Sequence, residues 1–230
     1  MRRLFPRSTR RSLGVVVQPD GIALAQASAP VKGCLHIQRW YWLALQDAPN
    51  THQSLLAGWP DPTWLRTARH KAGCQAQDAA LAIEDQRLRR FNLTLQSGLH
   101  VRDQVKAIEA ELNRQLPWAL ADTVWDFHTL PTPDAAALAA QTQRPAWLVS
   151  AMQAQAQQHV EVLATQRAWV TACEQWCRAA GLWLMRLEPA WQAEARWQLQ
   201  SSKVSRLDAQ GMAPHLQARA AGLALGVLAP

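Results

Sequence analysis

The sequence predicts an α/β protein with a mixed sheet. Three observations carry this: an apolar, β-branched hairpin near the start, later strand-like runs that alternate with amphipathic helical segments, and Pro, Gly and Asp at the points between them. Leu13 to Val17 is the first strand, Pro19-Asp20-Gly21 turns the chain, and Ile22 to Gln26 returns. Leu35 to Leu45, with Ile37, Trp40, Tyr41, Trp42 and Leu43, reads as a third strand that continues the sheet.

Asp61-Pro62 then supplies an N-cap and a first helical residue, Trp64, Leu65, Ala68 and Ala72 follow at helical spacing, and Gly73 ends the helix. Ala79 to Ile83 is a short apolar strand, and Leu88 to Leu95 alternates as another. Val101, Val105, Ile108, Leu112 and Leu116 mark an amphipathic helix that Pro117 stops. Thr123 to Thr129 is strand-like, with Val124, Asp126 and His128 on one side and Trp125 and Phe127 on the other. A short helix over Asp134 to Ala140, a strand over Ala146 to Met152 and a long helix from Ala154 to Ala180 are expected next, the last with Val160, Leu163, Trp169, Cys173 and Trp176 inward. Leu182 to Leu187 reads as a strand, Pro189 opens a helix through Trp197, and Gln198 to Gln210 reads as a loop. A final helix near Pro214 buries Leu216, Ala220, Leu223 and Val227, with Gly222 and Gly226 thinning one face.

Composition excludes several classes. With 49% hydrophobic and 18% charged residues the chain is not disordered. The net charge of +7 is concentrated in Arg2, Arg3, Arg7, Arg10 and Arg11; without those five the remainder carries only +2. No recognition helix or basic face with interleaved aromatics is legible, so nucleic acid is not an expected partner. The basic tail suits a solvated terminus, or contact with anionic lipid or nucleic acid. Leu13 to Val17 is too short for a signal sequence, and no run approaches the roughly 20 apolar residues of a span, so a cytoplasmic location is expected.

No catalytic residue is assigned. Cys34, Cys74, Cys173 and Cys177 contain no Cys-x-x-Cys pair, so buried free thiols are expected and no metal site. Glu109 and Glu111 diverge on a helix, Glu84-Asp85 is a turn, and Asp126 reads as a structural acceptor. His128 and His159 lack metal spacing, and Ser150, His159 and Glu161 lack a nucleophile elbow. No Gly-rich phosphate loop is present, and no cofactor is expected. Trp40, Trp42, Trp118 and Trp125 suit either core packing or the wall of a peptide groove.

Four stretches resemble the PilM family of actin-like proteins from type IV pilus assembly. They are Gly14-Val15-Val16-Val17-Gln18-Pro19-Asp20-Gly21-Ile22; Glu111 to Trp118 running into Val124-Trp125-Asp126-Phe127; Trp147 to Ala151 with the following helix, Ala180-Gly181-Leu182 and Leu187-Glu188; and Ala221 to Gly226. The resemblance implies a shortened first lobe: an actin-like (ribonuclease H-like) core over 12–85 and 145–230, an inserted small α+β subdomain over 86–144, and a basic tail over 1–11. The family's hairpin carries an Asp and a Gly where this chain has Val16 and Gln18, and a common Lys is Ala23. The family's second lobe, which follows the helix ending near Trp197, is replaced by a short connection.

These departures imply a scaffold without ATP hydrolysis, peripheral at the inner membrane, in a pilus or DNA-uptake machine. A type II secretion component is the alternative, and an enzyme of unknown type ranks below it. By resemblance the partner is the N-terminal cytoplasmic peptide of a PilN-like inner-membrane protein, held in a groove where core and inserted parts meet. Arg89, Arg90, Arg102, Arg114, Trp118 and Trp125 are the candidate contacts. Homo-oligomerisation is left open.

Overall fold

The computed structural model describes residues 11–31, 34–45, 56, 59–130, 157–200 and 212–228. The chain divides into unit 1, residues 1–85 and 168–230, and unit 2, residues 86–167. The expected insertion over 86–144 therefore extends to Arg167.

Unit 1 is built on a mixed sheet of five strands: β1 (Arg11–Gln18), β2 (Gly21–Val31), β3 (Cys34–Ala44), β4 (Asp78–Ile83) and β8 (Trp183–Pro189). The spatial order is β3-β2-β1-β4-β8. β1 pairs antiparallel with β2 through the Pro19-Asp20 turn, and parallel with β4 on its other side. β4 pairs parallel with β8. Parallel neighbours require crossover segments, here containing α1 (Pro62–Lys71) and α3 (Arg167–Ala179). The Asp61 carboxylate accepts from the Thr63 backbone N–H at 2.8 Å, capping α1, and hydrogen bonding to Thr63 holds the Asp61 pKa below its ordinary value. Gly73 ends the helix at φ +61°.

One face of this sheet is made of small side chains. Val16, Ala23, Ala25, Ala27 and Ala80 are buried there, and the last helix, α5 (Pro214–Leu228), lies on them. The approach is backbone to backbone at two glycines. A Cβ on Gly14 of β1 would stand 1.8 Å from the Ala220 carbonyl oxygen. A Cβ on Gly222 would stand 1.8 Å from the carbonyl oxygen of Ala193, on α4 (Ala190–Gln200). Polar groups caught in the contact are paired: the Ser12 hydroxyl donates to the Ala224 carbonyl at 2.6 Å. Glu188, 2% exposed, accepts from Arg186 Nε at 2.9 Å and Arg196 Nη2 at 2.8 Å. The same arginines donate to the carbonyls of Gly226 and Gly222, at 2.8 and 2.9 Å. Buried Gln26 joins β2 to the start of β4: its Oε1 accepts from the backbone N–H groups of Gln75 and Ala76 at 2.7 and 3.0 Å.

Tryptophans fill the space near α3. Trp59 meets Trp176 edge-on at 5.0 Å and Trp169 at 6.1 Å, and the Trp176 indole donates to the Pro60 carbonyl at 2.8 Å. Cys173 and Cys177 are buried on the same helix, as expected for structural thiols. Burial pushes the Cys177 thiol up to about 12.

Unit 2 is a three-stranded antiparallel sheet of β5 (Arg89–Gln96), β6 (Thr123–Thr129) and β7 (Gln157–Gln166), with β7 in the centre. The helix α2 (Val101–Gln115) buries Ile108 and Leu112 in a cluster with Leu93, Leu95, Val160, Val162 and Ala164. The expected helix from Ala154 to Ala180 is thus corrected. Its first half is the strand β7, and only Arg167–Ala179 is helical. Val160, Val162 and Ala164 alternate toward the α2 side, and pairing to two neighbours decides the conformation. The helix expected over Asp134 to Ala140 and the strand over Ala146 to Met152 lie outside the described residues, as does the resembling stretch Trp147 to Ala151.

The glycine contacts give the first prediction. Gly14→Ala and Gly222→Ala each drive a Cβ into backbone and should destabilise by about 3 kcal/mol or more, beyond ordinary core overpacking. Thermal denaturation followed by circular dichroism checks this; a melting temperature within a degree of the parent for both variants would contradict the packing.

Candidate functional site

The first location to consider is the carboxyl end of β1, beside the point where the sheet changes from parallel to antiparallel pairing. Open α/β sheets bind ligands at such points. Val16 is 1% exposed and in register with Ala23, itself fully buried, and both pack in the cluster under α5. The position where the resemblance calls for a metal-positioning Asp is thus an apolar side chain closed off by a helix. Gln18, paired with Gly21, ends the strand. Trp42 covers Gly21, where a Cβ would stand 2.1 Å from the indole ring. Among the described residues no group of three His, Cys, Asp or Glu side chains is placed to hold a metal ion.

The second location is unit 2, which holds all six expected contact residues. Trp118 and Trp125 sit partly buried against its core cluster. The Trp118 indole donates to the Thr123 hydroxyl at 3.1 Å, and Trp125 packs on Phe127 with ring centroids 6.2 Å apart. Arg114 lies on the last turn of α2 and donates to Glu111, through Nε at 3.1 Å and a second bond from Nη2. That pairing holds the Glu111 carboxyl below its usual range. Arg102, on the first turn of α2, and Arg89, at the start of β5, are exposed. Trp118 and Trp125 share the core cluster, whereas Arg90 belongs to a different constellation.

That constellation is on the face of the sheet opposite α2. Glu161 of β7 is 1% exposed. His128 of β6 is in register with it, and its Nε2 lies 3.2 Å from Oε2. Arg90 of β5, one diagonal step away in register, donates to Oε1. Burying a carboxylate is costly without such hydrogen-bonding partners. Nearby, Thr94 Oγ1 and His159 Nδ1 are 3.3 Å apart. The Arg90–Glu161–His128 group was not legible in the sequence, because it exists only once Gln157–Gln166 is recognised as a central strand. The alternation of Val160 and Val162 around Glu161 was the available signal.

No family model matches the sequence, and no curated protein matches it. Solved structures do. The PilM-PilN type IV pilus biogenesis complex matches over 86% of this chain and 52% of that chain, at 15% identity and TM-score 0.62. The chain therefore spans about half the length of the pilus protein chain it matches. The cytoplasmic domain of EpsL, an inner membrane component of the type II secretion system of Vibrio cholerae, matches over 81% of this chain and 59% of that chain, at 12% identity and TM-score 0.45. A Bacteroides thetaiotaomicron protein with an actin-like ATPase fold and unknown function covers 87% of this chain and 60% of that one, at 8% identity and TM-score 0.37. The fold is the actin-like α/β fold expected from the sequence, and the pilus structure is the neighbour that carries the assignment. In fold the chain is similar to PilM.

Pairing at Glu161 is directly testable. Arg90→Ala should cost about 1–3 kcal/mol by leaving the buried carboxylate short of a donor, and adding Glu161→Gln should recover part of the loss. Urea denaturation of the four proteins of this double-mutant cycle measures it; additive losses would show that the two groups are not coupled.

Proposed function

We propose that the protein is a non-hydrolysing scaffold of the type IV pilus or DNA-uptake machinery, and that it recruits an inner-membrane partner through that partner's cytoplasmic N-terminal peptide. The likeness in fold to a chain of the PilM-PilN complex carries this reading. Two features support the absence of a nucleotide cycle. Val16 and Ala23 are buried apolar side chains at the hairpin positions where the resemblance implies a metal-positioning Asp and a common Lys. The connection from α4 to α5 runs only from Ser201 to Ala213, whereas a lobe needs roughly 100 residues. A second lobe inserted at this point, as the resemblance places it, does not fit in that connection.

Unit 2 is the proposed peptide-binding part. Arg89 and Arg102 are exposed there and, like Arg87 and Arg167, form no ion pair with a carboxylate among the described residues. They suit an acidic peptide. Arg90, Arg114, Trp118 and Trp125, engaged with their own neighbours, contribute by shaping the surface.

Two measurements test this. Calorimetric titration with ATP and magnesium should give no binding heat; micromolar binding would restore a nucleotide switch and overturn the scaffold reading. A synthetic peptide with the cytoplasmic N-terminal sequence of the PilN-like partner should bind the parent protein, and Arg89→Glu with Arg102→Glu should weaken it roughly tenfold, about 1.4 kcal/mol. Equal affinity for parent and variant would place the peptide elsewhere.

A further inference from the structure

Strand starts, helix ends and cations meet at one end of the sheet in unit 1. Ser12 of β1 is in register with Asp78 of β4, and Asp78 with Trp183 of β8. Arg11 opens β1 at this end, opposite Ser28 of β2. The last turns of α1 and α3 also stand here. Arg69 donates to the carbonyls of Ala76, Ala180 and Gly181 at 3.0, 2.8 and 3.1 Å. Arg39 donates to the Ala72 carbonyl at 3.0 Å, and Arg66 to that of Ala179. The helix-end carbonyls therefore draw in guanidinium groups, as the helix dipole favours. These acceptors are neutral; Arg39 and Arg66 are exposed, and Arg69 is half-buried.

Lys71 and Arg178 add two exposed cations on the same helix ends. Among the described residues none of Arg39, Arg66, Arg69, Lys71 and Arg178 forms an ion pair with a carboxylate. The acids on the surrounding elements are Asp61, Asp78 and Glu174. The near-neutral charge of the body is thus an average that hides a positive end.

An apolar element adjoins the charge. Trp183 is 58% exposed, with the Arg178 guanidinium 5.9 Å from its ring centroid, and Met185, two residues on, is 53% exposed. An open indole and a thioether beside unpaired cations match the composition of an interfacial membrane contact, where the indole sits at headgroup level and the cations meet lipid phosphate. Among the described residues no helix is long and apolar enough to cross a membrane, so such a contact would lie on the surface.

We propose that this end of unit 1 docks directly on a bilayer rich in anionic phospholipid, with Trp183 entering the headgroup layer. The contact is separate from the peptide-binding reading of unit 2 and survives if that reading fails. It gives the chain its own hold on the membrane, in addition to any hold through a protein partner.

The test is co-sedimentation of the full chain with phosphatidylglycerol-containing vesicles and with pure phosphatidylcholine vesicles. Binding is expected only to the anionic vesicles, weakening as salt rises. Lys71→Glu with Arg178→Glu should lower the partition coefficient at least about 25-fold, at roughly five-fold per basic residue lost. Trp183→Ser should weaken binding without changing its salt dependence. Arg87→Glu with Lys106→Glu, an equal change of net charge on unit 2, should have much less effect. Circular dichroism confirms that each variant is folded. Three results would overturn the proposal: equal binding to neutral vesicles, equal losses for the two charge-reversed pairs, or preferential binding of duplex DNA over anionic vesicles at the same salt.

Discussion

Everything in unit 1 depends on how closely α5 approaches the sheet. A helix normally rides on side chains. Here the carbonyl of Ala220 reaches Gly14 of β1 directly, and Gly222 reaches the backbone of Ala193 on α4. The small side chains Ala23, Ala25, Ala27 and Ala80 follow from that approach, because larger residues would lift the helix. So does the polar pairing. Carbonyls at Gly222, Ala224 and Gly226 take donors from Arg196, Ser12 and Arg186, and the two arginines close on the buried Glu188. Removing one member of this set would leave another without a partner in a dry contact.

The same contact closes the hairpin side of the sheet. In an α/β sheet the switch from parallel to antiparallel pairing leaves a crevice at the strand ends. In this chain the first hairpin presents Val16 and Ala23 to the helix instead of polar groups to a ligand. Packing and ligand chemistry compete for one set of positions, and packing occupies them. The two surfaces proposed for function lie away from these positions, one on unit 2 and one at the strand starts of unit 1.

The sequence showed most of the unit 1 fold, because its signals are local. Pro19-Asp20-Gly21 fixes a turn, Asp61-Pro62 a helix start, Gly73 a helix end, and Gly222 with Gly226 a thin helical face. Unit 2 was half legible. The helical spacing of α2 and the alternation of Thr123 to Thr129 stand out, whereas β7 was expected to be helical. Ala and Gln surround it, and Val160 with Leu163 mimics a helical step; only pairing with distant β5 and β6 makes it a strand. The Arg90–Glu161–His128 group disappears with that misreading. Net charge misled in the same way. Averaged over the chain body it is small, yet the ends of α1 and α3 gather arginines that lie far apart in sequence.

The closing helix also sets an order on the birth of the molecule. Unit 2 is one continuous stretch, residues 86–167, whose contacts are complete once Arg167 has been synthesised. Unit 1 is split, and its small-residue face stays bare until residues 214–228 emerge. At roughly 5–20 residues per second, β1 waits on the order of ten seconds or more for its cover. During that time an apolar sheet with open strands is exposed to the cell, so chaperone demand should fall on the first-made part of the chain, and a truncation before Pro214 would remove the cover of strands made two hundred residues earlier.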